Sequence, residues 1–206
     1  WTNESYSKPT NSYSISKHSQ ELIGINLGRQ YEIPTVMLRY SIVQGSRQSF
    51  YNTYSGACRI FCLHFEKDIP PVIYEDGMMC RDFVNIHDAV KANLLVLKRD
   101  EANWEIFNIG GGKSYTILDF VSEVAKCFGK TSIVPNLSGK YRLGDTRNAC
   151  SDISKIRALN WEPKNSITES ILDYVDYMKS SKIPNGLIEE SIKSMTNSGV
   201  IRKAKV

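Results

Sequence analysis

One short run restricts the fold of this chain more than any other. Thr35-Val36-Met37-Leu38-Arg39-Tyr40 is nearly continuous in apolar and β-favouring residues and follows directly on Pro34. A strand without polar alternation must be covered on both faces, as a parallel strand between helical layers is. The stretch before it, from Tyr13 to Tyr31, supplies one such helix of about five turns. Ile15, Leu22, Ile23 and Leu27 recur there at spacings that keep them on one face, and Asn11 or Ser12 is available as the cap. Helix followed by covered strand predicts an α/β layer.

The rest of the chain alternates short elements. A helix is expected from Ala57 to Phe65, stopped before Pro70-Pro71, and a strand at Val72-Ile73-Tyr74 runs into the turn Glu75-Asp76-Gly77. Asp88 is expected to cap a helix reaching Lys98, with Ala89, Ala92, Leu95 and Val96 inward. Trp104 to Ile109 reads as a strand ended by Gly110-Gly111-Gly112, a tight turn without the spacing of a phosphate cradle. Thr116 with Asp119, and Ser166 with Glu169, have the spacing of capping boxes, and Gly129 suits a left-handed helix end. The last 25 or so residues are polar, basic and weakly periodic, and read as an appendage.

Composition narrows the class. Hydrophobic residues make up 41% and charged residues 23%, which suits a folded chain with an ordinary core. A formal net charge of +4 is too small for a nucleic-acid footprint. The five cysteines form no CxxC pair, so a reducing, cytoplasmic setting is expected, without a disulfide framework or a metal site. His18, His64 and His87 are not spaced as ligands or triad members, and Cys58 and Cys62 read as core. No apolar run approaches the roughly 18 residues of a membrane span.

Tyr13 and Lys17 stand four apart, so a helix presents both on one face. An ammonium beside a phenol favours the phenolate, the form that exchanges a proton with a substrate hydroxyl. The composition alone predicts about one Tyr-x-x-x-Lys pair by chance, so the pair needs context.

That context is an ordered series. Ser12-Tyr13-Ser14-Ile15-Ser16-Lys17 is followed by the strand and Gly45, then by Arg81-Asp82-Phe83-Val84-Asn85-Ile86-His87-Asp88 and Phe107-Asn108-Ile109-Gly110. Gly144-Asp145-Thr146-Arg147, Asp152-Ile153-Ser154-Lys155 and Leu159-Asn160-Trp161-Glu162-Pro163 close it. In this order the segments resemble the extended short-chain dehydrogenase/reductase family over residues 13–178. The stretch Leu38 to Tyr51, with Tyr141 to Arg147, looks most like nucleotide-sugar 4-epimerases acting on dTDP-6-deoxyhexoses, although that family commonly has Asn at the position of Ile42 and Tyr at that of Gln44.

The resemblance implies a fold and a site. The fold would be α/β, with the last helix and strand of an NAD-binding Rossmann domain in residues 1–45, a small α/β substrate-binding domain mainly in 46–180, and a basic polar tail in 181–206. Tyr13 and Lys17 would be catalytic and would also contact NAD, together with Tyr40, Ser41 and Val43. Ile42, Gln48, Val72, Arg81, Arg142 and Asp145 would bind the nucleotide-diphosphate sugar, the two arginines on its phosphates. Epimerisation at C4 would pass through a 4-keto sugar; a 4,6-dehydratase of the same family is the alternative, as is a non-catalytic binding or dimerisation remnant. No glycine-rich dinucleotide loop occurs in the sequence, so the chain reads as the carboxyl-terminal part of a longer homodimeric enzyme, inactive by itself.

Overall fold

A computed structural model describes residues 1–52 and 56–203. In chain order the elements are α1 (Ser12–Gln30), β1 (Met37–Tyr40), β2 (Ile42–Gln44), α2 (Ala57–Glu66), β3 (Val72–Ile73), β4 (Cys80–Asn85), α3 (Ile86–Val96), β5 (Ile106–Ile109) and β6 (Ser114–Thr116). There follow α4 (Ile117–Phe128), β7 (Asn136–Leu137), β8 (Lys140–Arg142), β9 (Asn148–Ala149), α5 (Ser154–Arg157), α6 (Ile167–Lys179), α7 (Leu187–Asn197) and β10 (Ile201–Lys203). The chain is mixed α/β, and it divides into two compact units that interleave in sequence. The first takes Trp1–Val43, Asp82–Lys113 and Ala149–Asn165; the second takes Gln44–Arg81, Ser114–Asn148 and the chain from Ser166 on.

In the first unit β1 runs parallel to β5, with Met37 opposite Ile106 and Tyr40 opposite Ile109. This is the arrangement that an apolar strand flanked by helix requires. Val84, Ala92, Phe107, Ile109, Ile153, Ile156 and Trp161 form the core, and Val36, Leu38 and Val43 pack against it. The strand before the glycine run begins at Ile106 and not at Trp104, because Trp104 adopts a left-handed backbone (φ 69°) to donate its N–H to the Thr35 carbonyl at 2.7 Å. At the turn itself, a Cβ on Gly110 would meet the Asp82 carboxylate and one on Gly111 the Phe83 carbonyl, so the run is a packed turn.

Helix α1 starts as the sequence indicates, with Asn11 accepting from the Ser14 N–H at 2.8 Å. Its buried side, however, is Glu21, Ile25 and Gly28. Gly24 and Gly28 let the helix sit close to β1, since a Cβ on either would collide with Met37 or Thr35. The stripe Ile15, Leu22, Ile23 and Leu27 therefore points away from the core and is 47–57% exposed. The periodicity located a face and left open which way it turned.

A second expectation is corrected at α3. Its cap is Asn85, which accepts from the His87 N–H at 2.8 Å. Asp88 lies one turn in and fully buried, accepting from the backbone N–H groups of Lys164 (2.9 Å) and Asn165 (2.8 Å). A carboxylate at this place joins the helix to a segment 76 residues further on.

In the second unit α2, α4 and α6 pack together. Phe61 lies 6.1 Å from Phe120 and Phe65 6.2 Å from Phe128, ring centre to ring centre. Both capping boxes form: Thr116 and Asp119 exchange bonds at the start of α4, as do Ser166 and Glu169 at α6. Gly129 ends α4 at φ 64°. Cys58 and Cys62 are buried, with sulfurs 3.8 Å apart, and burial pushes the Cys62 thiol up. Residues 187–203, weakly periodic in sequence, form α7 and β10, and α7 buries Leu187, Ile188 and Ser191; the final three residues of the basic tail lie outside the described residues. Among the described residues no helix is long and apolar enough to cross a membrane.

The Asp88 arrangement makes a checkable prediction. Burial opposes its charge, but the bonds from Asn165, Lys164 and Lys91 outweigh that and hold its carboxyl below the usual range. A lowered value means that the stabilisation is present above the ordinary carboxylate pKa and is lost as pH falls through the lowered one. Asp88→Ala, which leaves two backbone N–H groups without their acceptor, is expected to cost about 1–3 kcal/mol in urea unfolding at neutral pH. The difference from the parent should shrink in acid; a variant equally destabilised at pH 2 and pH 7 would contradict the assignment to charge.

Candidate functional site

The first turns of α1 carry the phenol and the amine. The capping box at Asn11 and Ser14 fixes the turn on which Tyr13 sits, and Lys17 lies one turn later. The Tyr13 side chain is 72% exposed, and the Lys17 Nζ stands 5.8 Å from the centre of its ring. Lys17 also donates to the Gln20 Oε1 at 3.3 Å. Both residues line a cleft of about 770 Å³ whose wall includes Arg39, Tyr40 and Ser41.

What aims α1 at this cleft is Arg39. It stands alone in an apolar strand, and its guanidinium meets the Glu21 carboxylate through two bonds of 2.7 Å. Its remaining donors reach the carbonyls of Glu4 (2.9 Å) and Tyr6 (3.4 Å), so one side chain joins β1, α1 and the amino-terminal segment. The Arg39 hydrogen bonds hold the Glu21 carboxyl below its ordinary range against the opposing effect of burial. The sequence reading treated Arg39 as part of a motif and gave it no role. A charge inside an otherwise apolar strand was the available signal, because it demands a buried partner.

Ser41 and Tyr40 are already engaged. The Tyr40 hydroxyl donates to Asn93 Oδ1 at 2.8 Å. The Ser41 hydroxyl donates to Asp82 at 2.9 Å and lies 2.8 Å from the Ser151 hydroxyl. Asp82 also accepts from the Gly111 N–H at 2.8 Å; burial raises its carboxyl, and these bonds pull the other way. Ile42 is half-buried, and Val43 is partly buried and packs against the core.

The remaining predicted residues lie in the second unit. Arg81 donates to the carbonyls of Cys80 (2.8 Å) and Arg147 (3.0 Å). Both of these acceptors are main-chain carbonyls. Asp76 is held by Arg147, whose guanidinium also reaches Glu75 at 2.6 Å, and that pairing brings the Asp76 carboxyl down to about 2. Arg147 was not singled out from sequence, yet its carbonyl is what positions Arg81. Arg142 pairs with Asp145 at 3.7 Å, and both act on Tyr74, whose hydroxyl is raised chiefly by burial. Val72 lies in β3, opposite Asn136 of β7. Gln48 turns its amide toward Gly56, with its Oε1 buried and without a hydrogen-bond partner.

The structure thus brings Tyr13, Lys17, Tyr40 and Ser41 to one cleft, and Arg142 together with Asp145 to one strand end. The first group presents a phenol hydroxyl and an ammonium to the cleft. The second holds one guanidinium, whose planar fork has the geometry that pairs with phosphate or carboxylate oxygens.

The family model described as the NAD dependent epimerase/dehydratase family matches residues 2–110. A dTDP-L-rhamnose 4-epimerase of Burkholderia thailandensis is 35% identical over 166 residues, which are 80% of this chain and 45% of that protein. Among solved structures, the UDP-glucose 4-epimerase of Thermotoga maritima with UDP-glucose superposes with a TM-score of 0.80 at 31% identity, covering 87% of this chain and 57% of that one. The UDP-glucuronic acid 4-epimerase of Bacillus cereus in complex with NAD gives a TM-score of 0.74 at 29% identity, covering 87% and 56%. The chain spans about half the length of the relatives it matches. From its ordered motifs, its parallel strand pair and this match over more than half its length, the chain belongs to the NAD-dependent epimerase/dehydratase family.

Proposed function

We propose that these residues form the proton-transfer and sugar-nucleotide part of an NAD-dependent nucleotide-sugar 4-epimerase acting on a dTDP-6-deoxy sugar. One observation carries the reading: the Tyr13 ring and the Lys17 ammonium share a face of α1, 5.8 Å apart, in a cleft of about 770 Å³. Tyr13 takes the proton of the sugar 4-hydroxyl and returns it at the end of the cycle. Lys17 stabilises the phenolate and holds the nicotinamide ribose. Hydride removal from C4 and its return to the other face are the chemistry that NAD supplies when bound.

The residues present suit the reacting end of such a dinucleotide. A hydroxyl and an ammonium line the cleft beside Tyr40 and Ser41, and the Val43 backbone lies two residues further along the chain. In this reading residues 1–45 end the cofactor domain and 46–180 hold most of the sugar-nucleotide domain. Arg81 and Arg142 take the diphosphate, Asp145 the nucleotide ribose, and Ile42, Gln48 and Val72 the remaining sugar-nucleotide contacts. The adenosine end falls to residues outside this sequence, a division supported by the relatives' greater length and by β1, which among the described residues pairs with β5 alone. The outward stripe of α1 (Ile15, Leu22, Ile23, Leu27) is the proposed homodimer face, since its aliphatic side chains are 47–57% exposed. A cytoplasmic setting suits the free thiols. A 4,6-dehydratase would use the same pair and differs in accumulating a 4-keto-6-deoxy sugar.

Two measurements test the reading. In calorimetry, the 206-residue chain should fail to bind NAD, and the same chain extended upstream should bind it; tight binding by the short form overturns the division. In the extended chain, Tyr13→Phe should lower C4 epimerisation of a dTDP-6-deoxy sugar by about 10²–10⁴-fold with nucleotide binding unchanged. Undiminished turnover in that variant removes Tyr13 from the chemistry, and release of a 4-keto product by the parent selects the dehydratase.

A further inference from the structure

The carboxyl-terminal segment ends on the strand that bears Arg142. Helix α7 is anchored by Leu187 and Ile188, 4% and 3% exposed, and it packs against α2. Gly199 then turns the chain at φ 68°, and the Val200 N–H donates to the Met195 carbonyl at 3.1 Å. From there β10 runs antiparallel to β8, with Ile201 opposite Arg142, Arg202 opposite Tyr141 and Lys203 opposite Lys140. The Leu143 N–H closes the pair on the Val200 carbonyl at 2.8 Å. The residues on both sides of Arg142 are thereby bound to a segment that α7 anchors through Leu187 and Ile188.

The register also sorts the charges. Directly opposed residues of an antiparallel pair share a face, as do residues two apart on one strand. Arg142, Lys140, Ile201 and Lys203 therefore lie on one face, and Tyr141 and Arg202 on the other. Arg142 has Asp145 at 3.7 Å, but no carboxylate lies within ion-pair distance of Lys140 or Lys203 among the described residues. Like charges set directly across a strand pair repel, and an anion resting on their face removes the penalty.

Taking Arg142 as a diphosphate ligand, as above, we propose that β10 is part of the nucleotide-sugar site: it fixes the strand carrying Arg142 and adds Lys203, facing Lys140, to a cationic face for a phosphate group. The ligand class is a nucleoside diphosphate. Two opposed ammonium groups, two residues along the strand from a guanidinium, fit a diphosphate better than a single carboxylate, because they add point charges beside one planar fork. The segment that the sequence presents as a polar tail then acts on affinity through a charge and through a backbone pairing.

The test titrates TDP and UDP by calorimetry into the longest natural chain carrying these residues, with inorganic phosphate as a separate arm. Lys203→Gln is expected to weaken binding about threefold, and Lys203→Glu or a stop after Gly199 about tenfold or more. Arg142→Ala should match the larger loss, and Lys179→Gln, on α6, should leave the affinity alone. Lys203→Gln should also flatten the salt dependence of binding without moving the thermal midpoint. If Arg142→Ala weakens binding but the Lys203 variants and the truncation stay within twofold of the parent, the role of β10 is overturned and the reading of Arg142 stands. If Arg142→Ala has no effect, or the parent binds neither diphosphate, both fall. Inorganic phosphate binding as tightly as TDP overturns the nucleoside diphosphate as the ligand.

Discussion

The Arg39–Glu21 contact decides where α1 points. The helix has no strong amphipathic character of its own: its aliphatic stripe is in water, and its buried side is a carboxylate, one isoleucine and a glycine. Hydrophobic burial would have placed such a helix the other way round, with Ile15, Leu22, Ile23 and Leu27 on the strand. The bidentate pair, with the room made by Gly24 and Gly28, sets the opposite orientation. A partly buried ion pair contributes little net stability once desolvation is counted, so its effect is chiefly on geometry. That geometry brings Tyr13 and Lys17 to the cleft and sends the aliphatic stripe outward. The placing of Tyr13 and Lys17 on the cleft and of an aliphatic outer face follows from one guanidinium.

The second unit uses the same economy with different parts. Arg147 is tied to Asp76 and Glu75 on the surface, where such pairs add little to stability, but the same residue presents its carbonyl to Arg81. That carbonyl and the Cys80 carbonyl together orient the Arg81 guanidinium.

Local signals in the sequence were legible where the chemistry is local. Thr116 with Asp119 and Ser166 with Glu169 cap helices because each pair closes on its own backbone, and Gly129 ends α4 because its conformation needs no distant partner. The errors occurred where a distant segment competes for the same group. Asp88 has the residue type of a cap, yet Lys164 and Asn165 claim its oxygens and Asn85 caps in its place. The stripe on α1 was visible, but its direction depended on Arg39, 18 residues away from its partner. The tail shows weak periodicity because α7 buries only a few residues and β10 relies on backbone pairing, which leaves no pattern in side chains.

The segment Arg81 to Asp88 shows why a motif can identify a family more surely than it identifies a site. Asp82 gathers Ser41, Gly111 and Ser151 around one buried carboxylate, and the Phe83 carbonyl lies where a side chain on Gly111 would have to go. Asn85 caps α3, and Asp88 fastens it to the segment before α6. Four of these positions are thus fixed by packing and hydrogen bonding, each with a different partner, so that the series is hard to reproduce by chance and easy to recognise. The Arg81 side chain is directed by the main-chain carbonyls of Cys80 and Arg147. Fold-determining residues are what make the resemblance specific.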